Sequence, residues 1–255
     1  MTRKSQMALP SLTSPLAKLA IAALGAAAIA APVQAANITF DSGAGMLFGS
    51  GDTWQESGYN MRAEAYDPAD VGSLVGMIAD SSDPTFCISM ACPVNGDGGY
   101  YGALNDGIVW LSSATAGASF MMKSLDASFI GLDAALGGYP AISGLLRMQG
   151  FLADGTYLLQ DLALDGPGSS GFEFGRYTPF DTFANTAFVS VAMFGFTCNA
   201  TGSCSAFNSN RGQFAIDNLV LEDALAEVPE PATLALFGLC LAGLAARART
   251  RRRQA

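Results

Sequence analysis

The chain has 255 residues, half of them apolar, which suits one domain of ordinary size and is too apolar for a disordered chain. It contains no histidine, so it cannot build a Ser-His-Asp triad, a Cys-His dyad or a His-ligated zinc centre. The formal charge is −9, and all 22 acids lie between Asp41 and Glu230, opposed there only by Arg62, Lys123, Arg147, Arg176 and Arg211; such a stretch repels phosphate backbones, argues against a nucleic-acid partner and suits divalent cations.

Residues 1–35 have three parts. A basic, acid-free start carries Arg3, Lys4 and Lys18, a run of 13 apolar or small residues follows, and Val33 and Ala35 are the small residues a signal peptidase reads. This is the pattern of a secretory signal peptide, with cleavage after Ala35 or Ala36. As a helix the apolar run would rise only about 20 Å, short of the roughly 30 Å hydrocarbon core. General secretion machinery and signal peptidase are the partners this implies.

Residues 36–227 show no long helical periodicity. Short runs separated by glycine and aspartate predict strands at 37–40, 61–66, 107–111, 118–129, 143–151, 156–164, 187–196 and 213–221. Only Asp67–Asp80 is a candidate helix. Phe120 and Met122 fall on one face of their run, as do Leu146 and Met148 of theirs. Asp154-Gly155 predicts a hairpin between the runs on either side. Many short strands with glycine-rich turns predict an all-β antiparallel sandwich.

Four cysteines form two close pairs, Cys87 with Cys92 and Cys198 with Cys204; a fifth, Cys240, lies in the apolar tail. Three pairings of the four are possible, and the two short loops are favoured because they close most readily. A four-cysteine zinc site fits poorly, because the spacings are wider than a zinc knuckle and an oxidising compartment favours disulfides.

Between them, NGDGGYYGALNDG (95–107) predicts a loop in which Tyr100 and Tyr101 would offer rings to a sugar, beside Asp97 and Asp106. Catalysis is not expected. Without histidine the plausible chemistry is a carboxylate pair of glycoside-hydrolase type, and the one acid set between aromatics, Glu173, has no second acid spaced to work with it.

In QFAIDNLVL (213–221), Phe214 and Ile216 alternate, and then Asp217 and Asn218 separate Ile216 from Leu219. Two residues where one belongs predict a β-bulge, with Asp217 capping it by accepting from backbone amides. The segment resembles the closing strand of jelly-roll domains of the carbohydrate-binding-module type. Gln213, Phe214 and Asp217 are also similar to a QFxxD subgroup of exported proteins. The jelly-roll resemblance implies a structural calcium held by Asp217, with Asp41 a candidate from the first strand.

The last 28 residues, 228–255, run from Pro229-Glu230-Pro231 through the uncharged stretch Ala232–Ala246 to Arg247, Arg249, Arg251, Arg252 and Arg253. As a single hydrophobic helix the stretch would span about 22 Å, a brief membrane tether with its arginines in the cytoplasm and the acidic domain outside. The tail resembles the PEP-CTERM sorting signal of Gram-negative bacteria. That resemblance implies export, transient holding in the inner membrane, cleavage near the PEP step by an exosortase, and delivery to the cell surface or exterior, often alongside exopolysaccharide. The expectation is a non-catalytic surface or matrix protein; the alternatives are a calcium-dependent glycan-binding module and a glycoside hydrolase.

Overall fold

The computed structural model describes residues 35–132 and 136–224. The expected signal peptide, the sorting tail and its arginines lie outside them. Among the described residues no helix is long and apolar enough to cross a membrane.

Fourteen strands follow in order: β1 (Ala35–Ile38), β2 (Leu47–Gly49), β3 (Thr53–Glu56), β4 (Tyr59–Glu64), β5 (Leu74–Asp80), β6 (Gly99–Ala103), β7 (Ile108–Ser113), β8 (Phe120–Phe129), β9 (Ile142–Phe151), β10 (Tyr157–Asp165), β11 (Gly175–Tyr177), β12 (Ser190–Cys198), β13 (Cys204–Ser205) and β14 (Phe214–Asp223). Among the described residues the one α-helix is a single turn, α1 (Asp181–Ala184). The strands form two seven-stranded antiparallel sheets. Sheet A runs β11-β8-β14-β6-β5-β2 with β1 also on β14; sheet B runs β10-β9-β12-β7-β4-β3 with β13 on β12. The fold is the expected antiparallel β-sandwich.

The core lies between the sheets and is built by strand alternation. Met61 and Ala63 from β4, Val109 and Leu111 from β7, Leu146 and Met148 from β9, Leu162 and Leu164 from β10, and Val191 and Met193 from β12 point inward from sheet B. They meet Phe120, Met122, Leu125, Ala127, Phe129, Ile216, Leu219 and Leu221 of sheet A. Residues i and i+2 of a strand share a face, so each such pair covers one patch of core. The β9–β10 hairpin turns at Asp154-Gly155 as expected: Gly155 takes φ +84°, and the Asp154 carboxylate accepts from the Thr156 amide at 2.9 Å.

A second, smaller core lies on the outer face of sheet A. Met77, Ala79, Tyr100, Leu104, Ile130 and Ala215 are buried there with Cys92, and Phe86, Cys87, Met90 and Phe174 pack against them. The cover includes the segment between β5 and β6, which the Cys87–Cys92 disulfide closes into a loop. The second disulfide, Cys198–Cys204, closes the turn between β12 and β13. Both favoured pairings form.

Three expectations need correction. Asp67–Asp80 is not helical; it is a loop followed by β5, whose Val75, Gly76, Met77, Ile78 and Ala79 are all buried. The stretch 95–107 is not wholly loop, because β6 occupies its centre and is buried throughout. The first strand ends at Ile38 rather than at residue 40. Phe40 takes φ +57°, and the Thr39 and Phe40 amides turn away to donate to Glu56 Oε1 at 2.9 and 3.1 Å.

Candidate functional site

The predicted bulge in β14 marks a seam. On one side β14 pairs with β8 along nearly its whole length. On the other it pairs with β6 through Phe214, Ala215 and Ile216, and with β1 through Leu219, Val220, Leu221 and Glu222. Two short strands thus share one lane end to end, and Asp217 and Asn218 stand where they meet. Pairing with β8 jumps from Asp217↔Asp126 to Val220↔Ser124, so β14 carries one extra residue there, and Asn218 takes φ +49°. Asparagine tolerates that left-handed conformation better than most residues.

Acids gather around this seam. Asp217 is 3% exposed. Its Oδ1 accepts from the Asn218 amide at 2.6 Å, the capping role expected of it, and its Oδ2 accepts from Asn218 Nδ2 at 3.1 Å. The same Asn218 amide group donates to Asp126 Oδ2 at 3.0 Å, while Arg176 Nη1 holds Asp126 Oδ1 at 3.0 Å. Asp41 Oδ1 accepts from the Gly99 amide at 2.9 Å and so ties the exit of β1 to the start of β6. Burial pushes the Asp217 carboxyl up to about 7, and the negative charges of Asp126, Asp41 and Glu56 push the same way against its hydrogen bond from Asn218. A group that loses its proton only near neutrality, with three acids around it, is where a cation would relieve the most repulsion. Among the described residues, however, no three His, Cys, Asp or Glu side chains converge as a ready metal site.

Sequence pattern singled out Asp41 and Asp217, and the structure brings their charges within range of each other. It missed Glu56, Asp126 and Asn218 as members of the group. They come from β3, β8 and the bulge itself, so only sheet register brings them together; the extra residue at Asn218 was the one legible signal.

Tyr100 and Tyr101 are 1% and 0% exposed, so neither ring faces solvent as a sugar platform. Tyr101 stacks on Trp54 at 5.2 Å inside the main core, Tyr100 packs against Phe174 in the small one, and burial alone pushes the Tyr100 hydroxyl up to about 12. Asp106 is a structural pin: its carboxylate accepts from the Asn210 and Gly212 amides at 2.9 and 2.6 Å. Glu173 is exposed beside the buried Phe172, so the apolar shielding wanted for a catalytic acid is missing.

Three solved structures to which the chain is similar are distant likenesses. A DUF4465 family protein from Bacteroides ovatus is 8% identical over 76% of this chain and all of its own, with a TM-score of 0.38. The module CBM32-3 from a family 31 glycoside hydrolase of Clostridium perfringens is 7% identical over 49% of this chain and 75% of its own, with a TM-score of 0.27. The enzymatically active domain of tailspike protein 4 of bacteriophage CBA120 is 11% identical over 66% of this chain but 20% of its own, with a TM-score of 0.30. No curated protein matches the chain. The sequence beyond β14 is decisive where these are not: residues 227–253 match the PEP-CTERM protein-sorting motif, and the chain therefore carries the tag by which an exosortase recognises an exported protein.

Proposed function

We propose that this chain is a non-catalytic surface protein, exported through a signal at residues 1–35, tethered in the inner membrane by residues 228–255, and cut near Pro229-Glu230-Pro231. The β-sandwich is then left at the cell surface or outside the cell, in association with exopolysaccharide. The observation that carries this reading is the sorting motif at 227–253 on a domain with two disulfides, bonds that persist in an oxidising compartment. The start of β1 bears on the first cut. Ala35 and Ala36 pair with Glu222 and Leu221, so cleavage after Ala35 spares three of the four pairs and cleavage after Ala36 spares two.

Mass spectrometry of the protein from exosortase-bearing cells tests the reading. The expected mature chain begins at Ala36 or Asn37 and ends near residue 230. Finding every molecule still ending at Ala255 overturns it.

The Asp217 seam favours one addition, a structural calcium ion with Asp41 and Asp217 among its ligands. Their carboxylates are the hard oxygen donors calcium takes. Bound calcium would supply fixed positive charge and join the exit of β1 to the bulge of β14. Millimolar calcium should raise the melting temperature of the wild type and leave Asp217→Asn unmoved; equal responses would remove the ion from the account.

A further inference from the structure

Among the described residues no second buried core covers the outer face of sheet B; only its Phe194 end is capped, by Phe207 of the segment between β13 and β14 at 5.1 Å. Alternation puts Val109 and Leu111 of β7 in the core, with 1% and 0% exposure, and so turns Trp110 and Ser112 outward. Register sets Trp110 opposite Arg62 of β4 and Ala192 of β12, and Ser112 opposite Asn60 and Ser190. The β12 positions are small, so large rings can lean together across them. The Trp110 and Phe151 rings stack with centroids 5.6 Å apart, although β12 lies between their strands, and Phe151 passes the row on to Tyr157 of β10 at 6.2 Å. On the other flank the Arg62 guanidinium sits 5.7 Å from the Trp110 ring centre. A strip of aromatic surface therefore crosses four strands, from β7 to β10, and its outer end, Tyr157, is 55% exposed.

Beside this strip lies a groove of about 710 Å³ across β3, β4, β7 and β12, a volume in the range of small-molecule sites. Trp110 forms one wall. Thr53, Gln55, Asn60, Ser112 and Ser190 supply amides and hydroxyls, and two of them are already ordered: Gln55 Nε2 donates to Asn60 Oδ1 at 2.5 Å, and Asn60 Nδ2 to the Ser113 carbonyl at 3.2 Å. In a chain with 22 acids, the groove is lined by none. Its one charge, Arg62, is balanced by Glu64 at 3.0 Å. Uncharged hydroxyl and amide partners next to ring surface suit a ligand with many hydroxyls, apolar ring faces and no net charge.

We propose that this groove and strip bind a strand of neutral polysaccharide laid across the strands of sheet B, from the Gln55–Asn60 amides past Trp110 toward Tyr157. The inference rests on the exopolysaccharide reading above and assigns it a surface. The remaining donors and acceptors of the Gln55 and Asn60 amides, with the Ser112 and Ser190 hydroxyls, would hydrogen-bond sugar hydroxyls. The aromatic strip would take the apolar ring faces.

Affinity electrophoresis of the full chain in native gels cast with dextran, hydroxyethylcellulose, polygalacturonate or the host's own exopolysaccharide tests it. Retardation by at least one neutral polymer is expected, weakened at least tenfold in Trp110→Ala and in the double variant Gln55→Ala/Asn60→Ala, and unchanged in Ile88→Ser, an exposed position on the disulfide loop. The double variant keeps the test alive if Trp110→Ala does not fold. Retardation of wild type and both groove variants alike would sink the groove and leave the exopolysaccharide reading standing. Binding to no polymer would sink both. Retardation by polygalacturonate alone would overturn the neutral chemistry, and a dimer lost in the groove variants would give the face to a second copy of the chain.

Discussion

The two sheets of this sandwich treat their outer faces in opposite ways. Sheet A is covered: Met77, Tyr100, Ile130 and Ala215 lie under a loop closed by Cys87–Cys92, and the acids near its central bulge are drawn into a crowded seam. Sheet B is more open: Trp110, Phe151, Tyr157 and Leu159 stand on a face with no second core above it among the described residues. A face sealed by a covalently closed loop contributes to stability and is closed to partners, whereas an open face with rings and amides is free to bind.

Variants can break this contrast, beginning with the largest expected effect. Ile130→Ala empties a fully buried position under the cover and should lower unfolding free energy by about 2–4 kcal/mol in urea titrations. Replacing Cys87 and Cys92 together by serine opens the cover, with a loss of about 2 kcal/mol by loop entropy and faster amide exchange in β5 and β6. Asp217→Asn acts with the opposite sign. The unfolded chain releases this proton near its ordinary value of 3.8, and the folded chain holds it to about 7. Folding therefore takes up a proton between those values, and wild-type stability rises as pH falls from above 7 toward 4. In chelator at pH 8 the asparagine variant should gain about 1–2 kcal/mol, discounted for solvent screening, and at pH 4 nothing; melts across pH measure both. Leu159→Ser, on the open face, should stay within about 0.5 kcal/mol of wild type. A loss there as large as that of Ile130→Ala would mean that sheet B is covered as well.

The same contrast explains which strands could be read from sequence. β7, β9 and β10 bury one face, so their side chains alternate, and the hairpin at Asp154-Gly155 was legible. β5 and β6 bury both faces, and LVGMIAD and GYYGA accordingly lack alternation; one passed for part of a helix and the other for a loop. Tyr100 and Tyr101 failed as ligand rings for that reason, since neighbours on opposite faces of a strand are both buried only when both faces are covered. The bulge at Asp217-Asn218 and both disulfides were local features and therefore visible. The company Asp217 keeps was not, because Glu56 and Asp126 reach it through pairings that span most of the chain. The groove was hidden for a further reason: Gln55, Asn60, Trp110, Ser112 and Ser190 are spread over 136 positions of sequence.

The last strand leads directly toward the sorting tail, leaving sheet A at Asp223 only six positions before Pro229. It is not an edge strand. β8 flanks it on one side, and β1 and β6 flank it in turn on the other. A pull applied along β14 would load both rows of hydrogen bonds in shear, many at once, whereas an edge strand would peel away bond by bond. An anchor point on an interior strand suits a module that must stay folded while it is held at a moving surface.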